Sequence, residues 1–268
     1  MQTTMPPFSV IILAGDRDSH DPVAQAAGVS CKALTPVSGR TMVLRVLDAL
    51  QGSREVDTRI MVGPSMSAVD SNAELSELLR SDQIRWLAPK ATPSTSAFSA
   101  LQSLPENVPV LLTTADHALL TPEMVDHFCE KARKSGCDVL AGVVRHELVA
   151  EAFPETKRTV TKLSDGGYCG CNLFAFLTPQ ARMAADFWRK VEKERKKPLR
   201  IIKVIGWTTV VRYLLGRLSL EQALSQLSKK MHLKVGVVRM PFPEAAVDVD
   251  KVEDLILVES ILAKKQSG

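Results

Sequence analysis

Residues 9–42 read SVIILAGDRDSHDPVAQAAGVSCKALTPVSGRTM. Val10 to Leu13 is a short apolar run, mostly β-branched, that stops abruptly at small residues, which predicts a buried first strand. Ala14 and Gly15 let the backbone turn sharply and expose its N–H groups. Arg17 and Lys32 then stand at either end of a polar loop, and an apolar helical pattern follows from Met42 to Leu50.

A strand, a small-residue turn and two cations are what binding a nucleoside triphosphate requires. Bare amides can approach the phosphates, and the cations offset charge on a pyrophosphate leaving group. Neither of the two common phosphate loops, GxxxxGK[ST] or GxGxxG, is present.

The stretch resembles the nucleotidyltransferases of the GT-A-like fold. These include the molybdenum-cofactor guanylyltransferase (MobA-like) enzymes, the sugar-phosphate nucleotidylyltransferases and the methylerythritol-phosphate cytidylyltransferases. Their signature is roughly L-A-G-G-x-(G)-x-R-M, then P-K, then L-x-x-x-x-G-x-P-M. Here Leu13, Ala14, Gly15 and Arg17 are followed by Lys32, Leu34, Gly39 and Met42. The chain departs from that pattern at Asp16, where the family has Gly, and in the longer stretch between Arg17 and Lys32. The resemblance implies a mainly parallel, mixed α/β sheet of Rossmann-like GT-A type. It also implies that Leu13, Ala14, Gly15 and Asp16 line the nucleotide and that Arg17 and Lys32 serve the leaving pyrophosphate.

A chain of 268 residues suits one large α/β domain or two small ones. With 45% hydrophobic and 24% charged residues it is not a disordered chain. A net charge of +4 suits an anionic small molecule and is too weak to argue for nucleic acid. The five cysteines, at 31, 129, 137, 169 and 171, match no zinc spacing. Cys169 and Cys171 are read as small core residues on one strand face in a reduced, cytoplasmic compartment. No signal-like or membrane-spanning stretch is apparent.

Further strands are expected at Arg59–Val62, Ile84–Leu87, Val108–Thr113 and Asp138–Val144, alternating with helices near Ala73–Arg80, Ser96–Leu104 and from Thr121-Pro122 to Gly136. Such alternation marks a mainly parallel sheet with helices on both faces. Ser94, Thr95 and Ser96 open one helix. Ser94 or Thr95 is either a plain N-cap or a cap that also touches the nucleotide, as a hydroxyl-rich segment does in the family. Asp116 follows the fourth strand, at the carboxyl end where open α/β sheets collect ligands. The segment resembles the family's D-x-P stretch, whose Asp holds the divalent metal, and Mg²⁺ suits a hard oxygen ligand. His117 is read as structural.

Lys157 to Tyr168 is expected to form a hairpin or strand-loop-strand leading into the apolar run Cys169–Phe176. The corresponding family region lines the second substrate's pocket. Lys157, Arg158 and Lys162 are therefore candidate ligands for an acceptor phosphate, with Gly167 at the turn and Asn172 on a hydroxyl; a solvated edge is the competing reading. Residues 178–232 resemble the family least. From Arg189 to Lys203 there are eight Lys or Arg and two Glu, and Trp207–Leu218 is unusually apolar. A packed helical insert within a single domain spanning 1–268 is favoured there over a dimer interface or a surface that touches anionic lipid.

Val235–Met240 reads as a last core strand. Asp250 and Glu253 fit a capping box before an amphipathic helix, Val252–Ala263. Cap duty does not explain Asp248, which lies on the same side of an extended chain as Asp250. The segment resembles the family's (D/N)-x-D-T-P-E-D-L ending, so Asp248 and Asp250 together are assigned as the second acid of the metal site. The chemistry implied is Mg²⁺-dependent transfer of NMP from an NTP, CTP or GTP favoured, to a sugar, polyol or cofactor phosphate by a monomer or homodimer. A GT-A glycosyltransferase and a non-catalytic nucleotide-binding protein remain as alternatives.

Overall fold

A computed structural model describes residues 6–16, 21–156, 158–194 and 206–267. Arg17 and Lys157 lie outside them, as does most of the basic run ending at Lys203. The first strand, β1, runs Phe8–Leu13. Its Val10 and Ile12 join one hydrophobic cluster and Ile11 another, so the strand is buried on both faces, as a strand within a covered sheet must be. After the loop, which carries the short helix α1 (Pro22–Ala26), a two-stranded hairpin of β2 (Pro36–Val37) and β3 (Arg40–Thr41) turns at Ser38 and Gly39, both with positive φ. Helix α2 (Met42–Gly52) then packs its apolar face beneath the sheet.

Strands β4 (Val56–Val62), β5 (Arg85–Leu87), β6 (Val110–Thr114) and β7 (Val139–Arg145) follow, separated by helices α3 (Met66–Asp70), α4 (Ala73–Arg80), α5 (Pro93–Gln102) and α6 (Pro122–Arg133). Helix α7 (His146–Ala152) leads to the hairpin of β8 (Thr161–Leu163) and β9 (Gly166–Phe176). The main sheet has the order β10-β7-β9-β6-β1-β4-β5, with β10 at Val235–Arg239 and β8 attached to β9. β9 runs antiparallel between β6 and β7, while β1, β4, β5 and β6 pair in parallel and β10 pairs in parallel with β7. The expected mainly parallel, mixed sheet with helices on both faces is the fold observed.

Three expectations about helices are corrected. Helix α5 begins at Pro93 because Thr92 is its N-cap, the Thr92 side chain accepting from the Thr95 N–H. The last helix, α11, runs Val252–Ser267 rather than stopping at Ala263. Its first turn is not closed by Asp250: the Asp254 carboxylate accepts the N–H groups of Asp250 and Lys251 instead.

Within 178–232 every described element is helical: a 3₁₀ turn at Pro179–Arg182, then α8 (Met183–Glu194), α9 (Trp207–Leu214) and α10 (Leu220–Met231). Arg182 anchors the start by donating to the carbonyls of Leu101 and Leu104. Trp207 and Leu214 of α9 stay 67% and 76% exposed, so its apolar side is not packed against described residues. No helix among the described residues is long and apolar enough to cross a membrane.

Candidate active site

The carboxyl ends of β1, β4 and β6 meet in one place. Ala14 donates to the Val62 carbonyl, and Ala115 donates to the Leu13 carbonyl. Gly15 and Gly63 make this approach possible. Gly63 has a φ of +77°, and a Cβ there would come within 2.8 Å of the Gly15 Cα. A Cβ on Gly15 would in turn stand 3.0 Å from the Pro89 side chain. The turn after β1 therefore has the 88–96 segment as its neighbour.

The loop that leaves this turn returns to it. The Asp16 carboxylate accepts the backbone N–H of Lys32 at 3.1 Å, tying the two ends of the loop together. This gives Asp16 a task that glycine could not perform. Ala33 and Leu34 are buried beyond it, which holds Lys32 at the rim with its side chain only 16% exposed.

The Lys32 ammonium lies 2.7 Å from Asp116 Oδ2 and 3.0 Å from Asp250 Oδ1. Thr114 donates its hydroxyl to the other Asp116 oxygen. The C-terminal segment reaches the site because Val249 donates to the Asp116 carbonyl at 3.1 Å and because Val247, Val249 and Val258 share a cluster with Val23, Val37 and Met42. Asn172, from β9, points its amide at Asp248 Oδ2 (3.3 Å) and Asp116 Oδ1 (3.5 Å). Three carboxylates separated by up to 134 positions in sequence thus converge around one lysine and one amide.

Their protonation follows from that crowding. Burial would raise the Asp116 carboxyl, but the Lys32 charge and hydrogen bond, with help from Thr114, hold it below its ordinary value. Burial raises Asp248, and the negative charges of Asp250 and Asp116 raise it further against the opposing pull of Arg158. Lys32 ends above its ordinary value because Asp116 and Asp250 outweigh its burial. An excess of carboxylate over cation is the environment a divalent ion would relieve.

The donor chemistry suits Mg²⁺, which takes one or two carboxylates, water and substrate phosphate rather than an all-protein cage. No group of three His, Cys, Asp or Glu among the described residues could by itself hold a metal ion. Asp116 with Asp248 or Asp250 can supply the hard oxygens.

Several candidates are placed differently from expectation. Arg158 does not offer a free guanidinium for an acceptor phosphate; it is 9% exposed and ion-paired to Asp248 and Asp254. Ser94 is buried and donates to Glu192 of α8, and the Ser96 hydroxyl accepts the Lys90 N–H, so both hydroxyls are used within the protein. Thr95 is only half-buried and its hydroxyl lies 2.9 Å from that of Thr92. Lys162 is exposed on β8, opposite Gly167 in the hairpin register. Asp254, Thr114 and Thr92 were not singled out by the sequence. Only Thr92 carried a usable signal, a Thr-Pro step of the kind that opens helices at Thr121-Pro122 and Thr178-Pro179.

A family model described as "MobA-like NTP transferase domain" matches residues 10–234. The chain belongs to the MobA-like NTP transferase family. It is a nucleotidyltransferase, which sets aside the glycosyltransferase and non-catalytic alternatives. Among solved structures, this MobA-like chain is 32% identical to a hypothetical transferase from Thermus thermophilus, over 94% of this chain and 100% of that one, with a TM-score of 0.77. A 4-diphosphocytidyl-2C-methyl-D-erythritol synthase from Anaerococcus prevotii DSM 20548 shares the fold at 17% identity and a TM-score of 0.58, over 96% of each chain. So does a CMP:2-keto-3-deoxy-manno-octonic acid synthetase complexed with CTP, at 10% identity and a TM-score of 0.58, over 97% of this chain and 99% of that one. A search of curated proteins finds no match.

Proposed function

We propose that this protein transfers a nucleoside monophosphate from CTP, or from GTP as second choice, to a small phosphate monoester such as a sugar, polyol or cofactor phosphate. The observation that carries the reading is Lys32 held between Asp116 and Asp250 at the strand ends where ligands collect. The lean toward CTP draws support from the two distant neighbours whose names concern cytidylyl compounds.

In this reaction an acceptor phosphate oxygen attacks the α-phosphorus, the bond from that phosphorus to its bridging oxygen breaks, and pyrophosphate leaves. No covalent enzyme intermediate is needed; catalysis is positioning and charge neutralisation. The backbone of Leu13, Ala14, Gly15 and Asp16 borders the triphosphate, and the Thr95 side of the 88–96 segment borders the nucleoside. Lys32 and Arg17 share the charge that develops on pyrophosphate. Asp116, with Asp248 or Asp250, would hold Mg²⁺, which supplies charge neutralisation on the triphosphate when bound. Asn172 orients the Asp116 and Asp248 carboxylates, and Lys157, Lys162 and Gly167 are the residues assigned to the acceptor. The whole chain acts as one domain in the cytoplasm, with residues 178–232 as the helical insert that selects the acceptor.

Pyrophosphate release with each of the four NTPs, Mg²⁺ and a pool of phosphate monoesters tests this. Release that needs one base, one acceptor and Asp116 is expected, with Asp116→Ala inactive. Lys32→Ala should slow turnover roughly 10²–10³-fold, the cost of removing one preorganised charge-stabilising donor. Full turnover by Asp116→Ala, or tight NTP binding with no release from any acceptor, would count against the assignment.

A further inference from the structure

Arg158 lies in the connection between α7 and β8, far in sequence from the carboxylates it meets. Its Nη1 stands 3.2 Å from Asp248 Oδ1 and 3.2 Å from Asp254 Oδ1. Nη1 and Nη2 also donate to the Asp248 carbonyl, each at 3.2 Å. Asp254 spends its second oxygen on the N–H groups of Asp250 and Lys251, each at 3.1 Å. Both partners are nearly closed off, at 9% and 8% exposed.

The consequence is geometric. One guanidinium holds the Asp248 main chain and carboxylate together with a second carboxylate, and that second carboxylate holds the main chain of Asp250. The planar fork of Arg can do this, whereas a lysine ammonium is a single point of charge. A buried ion pair is weak evidence for stability, because desolvating both charges offsets most of their attraction. Its contribution here is a fixed conformation for two carboxylates that would otherwise sit on an extended, exchangeable segment.

We propose that Arg158 and Asp254 form a positioning pair that presents Asp248 and Asp250 to the divalent ion and the triphosphate. Neither residue touches the reacting atoms. The inference rests on the functional reading above, in which those two aspartates belong to the metal site. It also assigns Arg158 to the metal side of the site rather than to the acceptor. The 153–160 connection is thereby tied directly to the segment carrying the metal acids.

The test uses the full chain, Mn²⁺ as the probe and CTP without acceptor, with free Mn²⁺ followed by electron paramagnetic resonance. Wild type, Arg158→Met, Arg158→Lys, Asp254→Asn and the Arg158→Met/Asp254→Asn double variant are compared, with thermal melts in parallel. The single variants should weaken Mn²⁺ binding about 10- to 100-fold, as the loss of groups that orient metal ligands does, while metal-free CTP binding stays within about 2-fold. The double variant should be little worse than either single one, because the two side chains act as a unit. Arg158→Lys should fail to restore binding. A purely structural pair would lower the melting temperature and leave Mn²⁺ affinity unmoved, which overturns the proposal. Should Arg158→Met fail to fold, the isosteric Asp254→Asn decides the matter. If wild type with CTP binds no Mn²⁺, the functional reading fails first and takes this inference with it.

Discussion

His117 follows Asp116 in the chain and is only 1% exposed. Burial pushes its imidazole down to about 4, against the pull of Asp116 toward the protonated form. The unfolded chain therefore accepts a proton near pH 6.5 that the folded chain refuses until about pH 4. Stability from this group is level above pH 6.5 and falls as the pH drops between those values, by about 3 kcal/mol at most. Urea unfolding at pH 7, 5.5 and 4.5 should show a steeper loss for wild type than for His117→Gln; parallel slopes would acquit the histidine. Sequence alone read His117 as structural, Lys32 at the far end of the polar loop and Asp116 at the end of the fourth strand, because each of those positions is fixed locally. It fitted Asp250 and Glu253 to a capping box, a local pattern in which Asp254, one residue beyond Glu253, takes the capping part instead. Arg158 was readable as a cation, but nothing local reveals a carboxylate 90 positions away.

At the level of elements, α4 was legible at both ends because Asn72 caps it and the apolar pattern runs out at Arg80. The antiparallel direction of β9 was not legible, since an apolar run has the same periodicity whichever way it is threaded. Helix α5 was read to start three residues late because hydroxyls crowd its first turn and the true cap, Thr92, precedes Pro93. Thr92 accepts the Thr95 N–H, and its helix is what carries Ser94 to Glu192 on α8. Thr92→Ala should cost about 1 kcal/mol, read as a lower urea midpoint with an unchanged slope, and Thr92→Ser should keep most of it. A Thr92→Ala midpoint equal to wild type would mean that the cap contributes nothing and that the α5–α8 contact fixes the helix by itself.

The site draws on both ends of the molecule. Lys32 comes from the first loop, while Asp248 and Asp250 come from a segment beyond the residues matched by the family model, which end at 234. The bridges from Lys32 to Asp250 and from Val249 to Asp116 close the ring, and α11 lies against the β2 end of the first loop. A ligand that bridges these parts must stabilise the whole chain. At a hundred times its dissociation constant, CTP with Mg²⁺ should add about 2.7 kcal/mol. For a chain of this size that is a rise of roughly 5–10 °C in melting temperature. The four NTPs at equal concentration should rank by that shift, and Asp116→Asn should lose the part that depends on Mg²⁺. Hydrogen exchange then locates the effect: residues 9–16, 30–42, 110–117 and 247–254 should slow together on binding. Slowing confined to the N-terminal loop would show that the nucleotide is held without the C-terminal wall. In that event Asp248 and Asp250 would have no part in binding the triphosphate, and Lys32 would be the partner of Asp250 only in the free protein.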